Sequence, residues 1–297
     1  MRVIDAQAVL GLNKPLGMNH TLAELRAIQV FVEKTYKGKY DVRFIAASAS
    51  SNTNTTIAEV VRQYPETLVG AYLQIVPEGG RNDLWGYTSP AEIAKLAERP
   101  EIFGLNIVPP LLEMSINDPV LEQYVCIAAK KGITFMMHFS TVEGDDYTGV
   151  AQLDRFMDQY ISKYPDLKVI IEHFGGLIPG QENKMLDRVR TYPDNLFLNT
   201  TGFSGELRRV GKNAAWMPRP EVQRYWLGVL SDVLDDDTVK DNAIYSSDAP
   251  WLGNRHPKFD PPHENVPVPY LTVFDQLKEA HQKQLNKNEK RVFDLEI

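Results

Sequence analysis

The sequence contains a single cysteine, Cys126, among its 297 residues. One thiol cannot form an internal disulfide bond, so a small secreted domain held together by disulfides is excluded. No stretch approaches the roughly 20 consecutive apolar residues that a membrane-spanning helix requires. The first residues include Asp5 and no long apolar stretch, which is not typical of a signal peptide. We therefore expect a cytoplasmic protein that does not bind membranes.

Concentrated positive charge is also missing. The chain carries 32 basic and 39 acidic residues and a formal net charge of −7. Its nearest approach to a basic cluster is Arg208-Arg209, followed by Lys212. Because a protein that binds a phosphate backbone needs a dense basic surface, nucleic acid is not an expected partner. A small-molecule substrate is the partner that remains.

Short apolar runs alternate with longer amphipathic stretches along the whole chain. With 43% hydrophobic and 24% charged residues, the chain can bury a large core. The runs are almost continuous in hydrophobicity, which is typical of parallel strands buried on both faces. The eight runs are Arg2–Asp5, Val42–Ala46, Leu68–Ile75, Phe103–Val108, Ile133–His138, Lys168–His173, Leu196–Thr200 and Asn242–Ser246.

Eight β/α alternations without a break in composition predict a single (β/α)8 TIM barrel, the fold of metal-dependent hydrolases, as one domain over residues 1–297. Local signals support the helices: Ser89-Pro90 predicts a helix start and Gly132 a helix end. The alternative is an open, doubly wound sheet. It would require a topological switch and usually a glycine-rich phosphate turn, and the sequence shows neither.

Three ionisable residues stand at equivalent positions, at or just after the fifth, sixth and eighth runs: His138, His173 and Asp248. Catalytic groups of such barrels come from the C-terminal ends of several strands. A lone histidine at a strand end is more often structural, but three matching positions favour a site. Two imidazoles and a carboxylate can act as general acids and bases, or form part of a metal site. The other histidines are expected to face solvent: His20, His256, His263 and His281.

Three further residues are candidates for substrate binding. Trp251 follows Asp248 and could form a wall of the pocket, and Asn106 ends the fourth run. Arg81 lies in the loop after the third run and could pair with a substrate carboxylate. Each has an equally good structural explanation, in packing, backbone hydrogen bonding or solvation. Three aromatic residues are candidates for an interface if the protein forms a homo-oligomer: Trp85, Tyr87 and Trp226.

Six segments together are similar to a known family in their order and spacing. They are Val3-Ile-Asp-Ala, Tyr64-Pro-Glu-Thr-Leu-Val-Gly, Phe103-Gly-Leu-Asn-Ile-Val-Pro, Gly132-Ile-Thr-Phe-Met-Met-His, Leu167-Lys-Val-Ile-Ile-Glu-His-Phe-Gly-Gly and Ala243-Ile-Tyr-Ser-Ser-Asp-Ala-Pro. In this the chain resembles the amidohydrolase-related family, in the branch that includes aminocarboxymuconate-semialdehyde decarboxylase and related decarboxylases, hydratases and lactonases. The resemblance covers almost the whole chain.

The resemblance implies roles for the residues at the strand ends. It makes His138 a metal ligand, His173 a ligand or an acid/base, and Asp248 the residue that binds the metal and orients or deprotonates a water. The family also has a His-x-His pair at the end of its first strand, where this chain has Gln7 and Val9. Valine has no donor atom and the glutamine carbonyl is a poor zinc ligand. We therefore expect no metal cofactor.

The function expected from these residues is hydrolysis of a small carbonyl substrate, such as a lactone. Asp248 would activate water, while His138 and His173 would polarise the carbonyl. Metal-independent lactonases within the broader family offer a precedent for this expectation. One alternative is a metal-dependent hydrolase or decarboxylase in which His138, His173 and Asp248 hold a zinc-type ion. The other is a non-catalytic barrel that serves as a binding subunit.

Overall fold

The computed structural model describes most of the chain. The described residues are 1–13, 18–78, 86–112, 114–115, 118–138, 150–176, 182–201, 205–210, 213–218, 220–247 and 272–295. Several residues singled out above lie outside these ranges, and their roles stay predictions: Arg81, Trp85, Asp248, Trp251, His256 and His263.

Eight parallel strands form the centre of the described structure, and each pairs with the next strand of the barrel in the chain. In order they are β1 Arg2–Asn13, β2 Asp41–Ser48, β3 Leu68–Gln74, β4 Ile102–Ile107, β5 Thr134–Met137, β6 Val169–Ile171, β7 Leu196–Asn199 and β8 Ala243–Ile244. The sheet curls so that its two edges meet. This is seen in the hydrogen bond that the Ala6 N–H donates to the Tyr245 carbonyl at 2.9 Å. Each predicted run overlaps one of these strands, which confirms the (β/α)8 barrel.

Helices connect the strands and cover the outside of the barrel. They are α1 Leu22–Thr35, α2 Asn54–Gln63, α3 Pro90–Leu96, α4 Pro109–Leu112, α5 Pro119–Lys131, α6 Val150–Phe156, α7 Glu182–Thr191, α8 Pro220–Asp235, α9 Thr272–Gln276 and α10 Glu279–Phe293. The predicted start of α3 and the predicted end of α5 are both confirmed. The Ser89 hydroxyl caps the N-terminus of α3, and Gly132 ends α5 with a φ of 66°. Within the described residues, no helix is both long and apolar enough to cross a bilayer.

Within the described residues, the connections also contain three short strands. Met18–His20 pairs antiparallel with the end of β1. Gly205–Val210 and Asn213–Pro218 pair with each other as an antiparallel hairpin between β7 and α8.

The barrel interior has an apolar layer with a polar layer above it. Side chains alternate between the two faces of a strand, so residues two positions apart share a face. The apolar layer contains Ile4, Ala6, Ile45, Ala47, Tyr72, Met136, Ile170, Phe197 and Ile244. Two residues further along β3 and β5 to β8, the inward positions are polar: Gln74, His138, Glu172, Asn199 and Ser246. The functional side chains therefore collect at the C-terminal ends of the strands.

Helix α10 closes the opposite end of the barrel. Its residue Phe293 stacks on Phe103 at a centroid distance of 6.0 Å and meets Tyr72 edge-on at 6.2 Å. His281, in the first turn of the same helix, was expected to face solvent, but it is 4% exposed and pairs with Asp235 at 2.8 Å. The expectation is wrong because α10 packs against both the strands and α8 rather than lying on the surface.

Trp226 is also placed differently from the expectation. It lies on α8 with 2% of its surface exposed and packs on Phe174 at a centroid distance of 6.0 Å. Trp226 therefore belongs to the core and marks no interface between copies. Tyr87, in contrast, is 43% exposed.

A buried carboxyl group from α10 fills the seam between β1 and β8. Glu289 is 0% exposed, and one of its oxygens accepts a hydrogen bond from the Tyr245 N–H at 2.9 Å. Its other oxygen, Oε2, has no hydrogen-bond partner among the described residues. Burial raises the pKa of Glu289 well above its ordinary value of 4.5, and the nearby Asp5 carboxylate adds to the shift. Folding therefore favours the neutral form of Glu289 over the ionised form.

Replacing Glu289 with Gln should change how stability depends on pH. Above pH 4.5 the unfolded chain ionises Glu289 while the folded chain keeps the proton, so stability falls by up to about 1.4 kcal/mol per pH unit. In Glu289→Gln that contribution is absent, and the stability gain over the wild type should increase as the pH rises above 5, up to the raised pKa of Glu289 in the folded protein. Urea unfolding across this range measures it, with the exposed Glu33→Gln as the control. Parallel pH profiles for the wild type and Glu289→Gln would contradict the assignment.

Candidate metal centre at the barrel mouth

Two neighbouring strands deliver three potential ligands to one point. His138 directly follows β5, and Glu172 and His173 directly follow β6. The two strands are paired in parallel register, with Met137 opposite Ile171, so the residues after their ends meet. His173 has a φ of 51°, a left-handed conformation that is uncommon for residues other than glycine. This turn allows the consecutive residues Glu172 and His173 to face the same cluster.

The three side chains are within contact of one another. The His138 Nδ1 atom lies 2.8 Å from Glu172 Oε2, and His173 Nε2 lies 3.8 Å from the same oxygen. The two imidazole rings are edge-on to each other, with centroids 4.5 Å apart and an interplanar angle of 82°. One ligand atom from each residue can be chosen so that all three lie within 4.8 Å of one another. Glu172 and His173 are buried, and His138 is partly buried.

Burial sets the protonation of the cluster. It lowers the pKa of His138 and of His173 to about 4, so both imidazoles are neutral at pH 7. It raises the pKa of Glu172 to about 7. The contact between His138 and Glu172 is therefore a hydrogen bond rather than a permanent ion pair. His173 Nδ1 lies 3.2 Å from the Thr201 carbonyl, which can only accept. Nδ1 therefore carries the proton, and the Nε2 lone pair is on the side of Glu172.

This donor set fits a divalent metal ion. Two neutral imidazoles and a carboxylate are the ligand types of His2Glu zinc sites. A ligating histidine usually donates its other ring N–H to a carbonyl or carboxylate, as His173 does to Thr201. Two coordination bonds of about 2.1 Å can join atoms up to roughly 4.2 Å apart. The distances of 2.8 and 3.8 Å from Glu172 Oε2 are within that limit.

The expectation of no metal cofactor is wrong. It rested on the loss of the first-strand pair, but the cluster of His138, Glu172 and His173 provides a three-residue ligand set without that pair. A solved structure of the same fold, described below, contains manganese. Glu172 was not among the candidate site residues, although the sequence contains a signal for it. Met136 and His138 share the inward face of β5, and the same two-residue step from Ile170 reaches Glu172 rather than His173.

Gln7 contacts the cluster, but not with the atom that a cation would need. Its Nε2 donates to Glu172 Oε1 at 3.3 Å. Its Oε1 accepts from Asn199 Nδ2 at 2.7 Å and lies 3.3 Å from the Thr201 hydroxyl. The glutamine carbonyl is therefore already engaged with the Asn199 amide of the protein. Val9, the other replacement of the family pair, is buried in β1.

Asn106 lies near this cluster but does not belong to it. It is 5% exposed at the end of β4, pairs in register with Met136 and donates to Gln74 Oε1 at 3.1 Å. A role in substrate binding stays a prediction. The catalytic role of Asp248, which follows Ser247 in the chain, also stays a prediction. The Ser247 N–H donates to Asp5 Oδ1 at 2.9 Å and so ties this segment to β1.

Comparison with known proteins identifies the family. The amidohydrolase family model matches residues 38–295, which is most of the chain. The chain belongs to the amidohydrolase family. No curated protein sequence matches it significantly. The resemblance stated from the sequence motifs is thus confirmed, and decarboxylases are among the similar structures.

Solved structures show the same fold at low sequence identity. A probable 2-pyrone-4,6-dicarboxylic acid hydrolase from Acinetobacter baumannii is 15% identical, with a TM-score of 0.64 over 99% of this chain and 100% of that one. The 2,6-dihydroxybenzoate decarboxylase from Rhizobium is 12% identical, with a TM-score of 0.64 and full coverage of both chains. The 5-carboxyvanillate decarboxylase LigW2 from Novosphingobium aromaticivorans, a structure with bound manganese, is 12% identical, with a TM-score of 0.59 over 99% of this chain and 97% of that one.

Metal binding should stabilise the folded protein through Glu172. At a free Mn²⁺ concentration 100 times the dissociation constant, the wild type should gain about 2.7 kcal/mol and roughly 5 °C in melting temperature. Glu172→Gln should lose most of this gain, because a neutral amide is a poor replacement for a carboxylate ligand. Thermal unfolding with and without Mn²⁺ measures it, and the exposed Glu33→Gln should keep the full shift. An unchanged shift in Glu172→Gln would remove Glu172 from the ligand set.

Proposed function

We propose that this amidohydrolase is a metal-dependent hydrolase that opens small lactones. The observation that carries the proposal is the cluster of His138, Glu172 and His173 at the C-terminal mouth of the barrel. These three residues would hold the ion. When bound, a divalent cation supplies a Lewis acid that polarises a carbonyl oxygen. The pyrone named for the hydrolase from Acinetobacter baumannii is a cyclic ester, which supports a lactone as the substrate class.

The protein's own residues would prepare the reaction in defined ways. Both imidazoles are kept neutral by burial, so they can act as ligands without first losing a proton. The Thr201 carbonyl fixes the His173 ring in one tautomer. The apolar layer that contains Met136 and Ile170 closes the interior beneath the site, which limits access of bulk water from below. Hydrolysis needs one water, and the mouth is the side from which it would enter.

Asp248 is proposed as the base, on the strength of its place in the sequence, four residues after the end of β8, and of the family resemblance. In the step, a water oxygen forms a bond to the ester carbonyl carbon while Asp248 accepts one water proton. The bond from that carbon to the ring oxygen then breaks, and the ring oxygen receives the proton held by Asp248, which becomes a carboxylate again. The product is a hydroxy acid. An ester suits this site better than an amide, because its carbonyl needs less activation and its leaving oxygen needs less protonation.

Decarboxylation is the second candidate. The decarboxylases among the similar structures support it, and a proton must then be supplied to the carbon that loses its carboxylate. In that reaction the bond from carbon to the carboxylate breaks, CO2 leaves, and the proton takes its place on carbon. Two of the structures described above are decarboxylases of hydroxylated benzoates, which makes such acids the natural test compounds.

A paired screen separates the two reactions. The Mn²⁺-loaded protein is mixed with a panel of lactones, including 2-pyrones, and with hydroxybenzoates. Acid formation is followed with a pH indicator and CO2 with a coupled assay. We expect lactone turnover that is lost on chelation and restored by Mn²⁺. CO2 release from hydroxybenzoates without lactone turnover would overturn the hydrolase in favour of the decarboxylase. Ligand binding without any turnover would favour a non-catalytic binding barrel.

Asp248→Asn should reduce kcat/KM by about 10²- to 10⁴-fold on the lactone that the screen identifies, because asparagine cannot accept the water proton. The metal affinity of the variant is measured alongside, so that loss of the base is distinguished from loss of the ion. Asp241→Asn, at a position outside the mouth, serves as the matched control. Full activity of Asp248→Asn would refute this role.

A further inference from the structure

Gln7 occupies a position where the family has a histidine, and it touches the cluster with a side chain of two unlike ends. Its NH2 group can only donate a hydrogen bond and its carbonyl oxygen can only accept. The end that faces Glu172 decides what Gln7 does there. A donor would hold the carboxylate in place, whereas an oxygen would repel it.

A chain of hydrogen bonds fixes this choice, and it begins at a backbone group. The His173 N–H can only donate, and it donates to Asn199 Oδ1 at 2.8 Å. The Thr201 N–H lies 3.4 Å from the same oxygen. Asn199 must therefore present its NH2 group on its other side, where Nδ2 donates to Gln7 Oε1 at 2.7 Å. This leaves the Gln7 NH2 group to face Glu172 Oε1 at 3.3 Å.

Burial makes this order difficult to reverse. Gln7 is 4% exposed, Glu172 2%, and Asn199 and Thr201 are fully buried. The Thr201 hydroxyl lies 3.3 Å from Gln7 Oε1 and closer to Asn199 Oδ1, so its one proton faces the two acceptor oxygens of these amides. Turning the Gln7 amide around would set its oxygen against Glu172 and its NH2 group against that of Asn199. Buried polar groups that face like groups lose their hydrogen bonds without compensation from water.

We propose that Gln7 is a positioning residue of the metal centre, which binds one oxygen of Glu172 so that the other faces the two histidines. The proposal rests on the proposed function, in which Glu172 is a ligand. Gln7 engages Oε1, while Oε2 lies 2.8 Å from His138 Nδ1 and 3.8 Å from His173 Nε2. A position that carries a ligand in the family thus supports a different ligand here. Partners of this kind typically account for 10- to 100-fold in metal affinity.

The test compares two buried glutamines. Gln7→Met keeps a similar volume and removes both polar ends. Gln74→Met is the matched control, because Gln74 is 3% exposed and bonds to Asn106 rather than to the cluster. Mn²⁺ affinity is measured from the electron paramagnetic resonance signal of free Mn²⁺. Melting temperatures of the metal-free proteins are measured in parallel. We expect Gln7→Met to bind Mn²⁺ about 10- to 100-fold more weakly than the wild type and Gln74→Met within about twofold of it.

The outcomes separate the two proposals. If the wild type binds no Mn²⁺, both the metal-dependent function and the role of Gln7 are overturned. If the wild type binds it and Gln7→Met binds it equally well, only the role of Gln7 is overturned. Equal losses of affinity in Gln7→Met and Gln74→Met would also overturn it, because a general loosening of the core would then explain both.

A measurement on the wild type keeps the proposal testable if Gln7→Met does not fold. Protein labelled with ¹⁵N in glutamine is titrated with diamagnetic Zn²⁺. The Gln7 side-chain amide resonance, assigned by its disappearance in Gln7→Glu, should shift in proportion to bound Zn²⁺, while that of Gln74 should not. Zn²⁺ binding that leaves the Gln7 amide unchanged would overturn the positioning role.

Discussion

Successive side chains of a β-strand point to opposite faces, and this alternation places the functional groups of the barrel. The inward positions are first apolar, as at Met136, Ile170 and Phe197, and then polar at His138, Glu172 and Asn199. The apolar layer and helix α10 fill the lower part of the interior. The polar layer therefore lies at the mouth, where a substrate can reach it from the side of the C-terminal strand ends.

Because the polar layer is buried, its side chains must form hydrogen bonds with one another in place of water. Asn199, Gln7 and Glu172 do so in a fixed order that begins at the backbone of His173. The same burial keeps His138 and His173 neutral and holds the pKa of Glu172 near neutrality. Loss of the first-strand histidines therefore did not leave the mouth without a ligand set. The residues that follow β5 and β6 provide such a set, formed by His138, Glu172 and His173.

The strands and their order could be predicted from the sequence, because hydrophobic runs of this length and spacing leave few other folds. Positions at strand ends followed directly, which is why His138 and His173 were found. Glu172 is missed, because the predicted run ends at His173, two residues beyond the end of β6, and hides that the inward phase from Ile170 leads to Glu172. The expectation of no metal cofactor is wrong as a consequence. It counts only the ligand positions that the family uses, and Glu172 is not one of them.

Other features depend on packing between distant segments, which no local pattern reveals. His281 and Trp226 have the local signature of surface helices, yet they are buried because α10 and α8 pack against each other and the barrel. The hydrogen bonds of Gln7 reach residues 165 to 194 positions away in the chain. A glutamine in a strand offers no sign of such partners.

Anomalous diffraction from crystals soaked in Mn²⁺ tests the central claim most directly. Data collected on both sides of the manganese absorption edge would locate the ion without reference to activity. We expect a manganese peak at the barrel mouth, bounded by His138, Glu172 and His173, with Glu172 Oε1 still hydrogen-bonded to Gln7. A fully soaked crystal with no peak at these three residues, or with the ion held by other side chains, would contradict it.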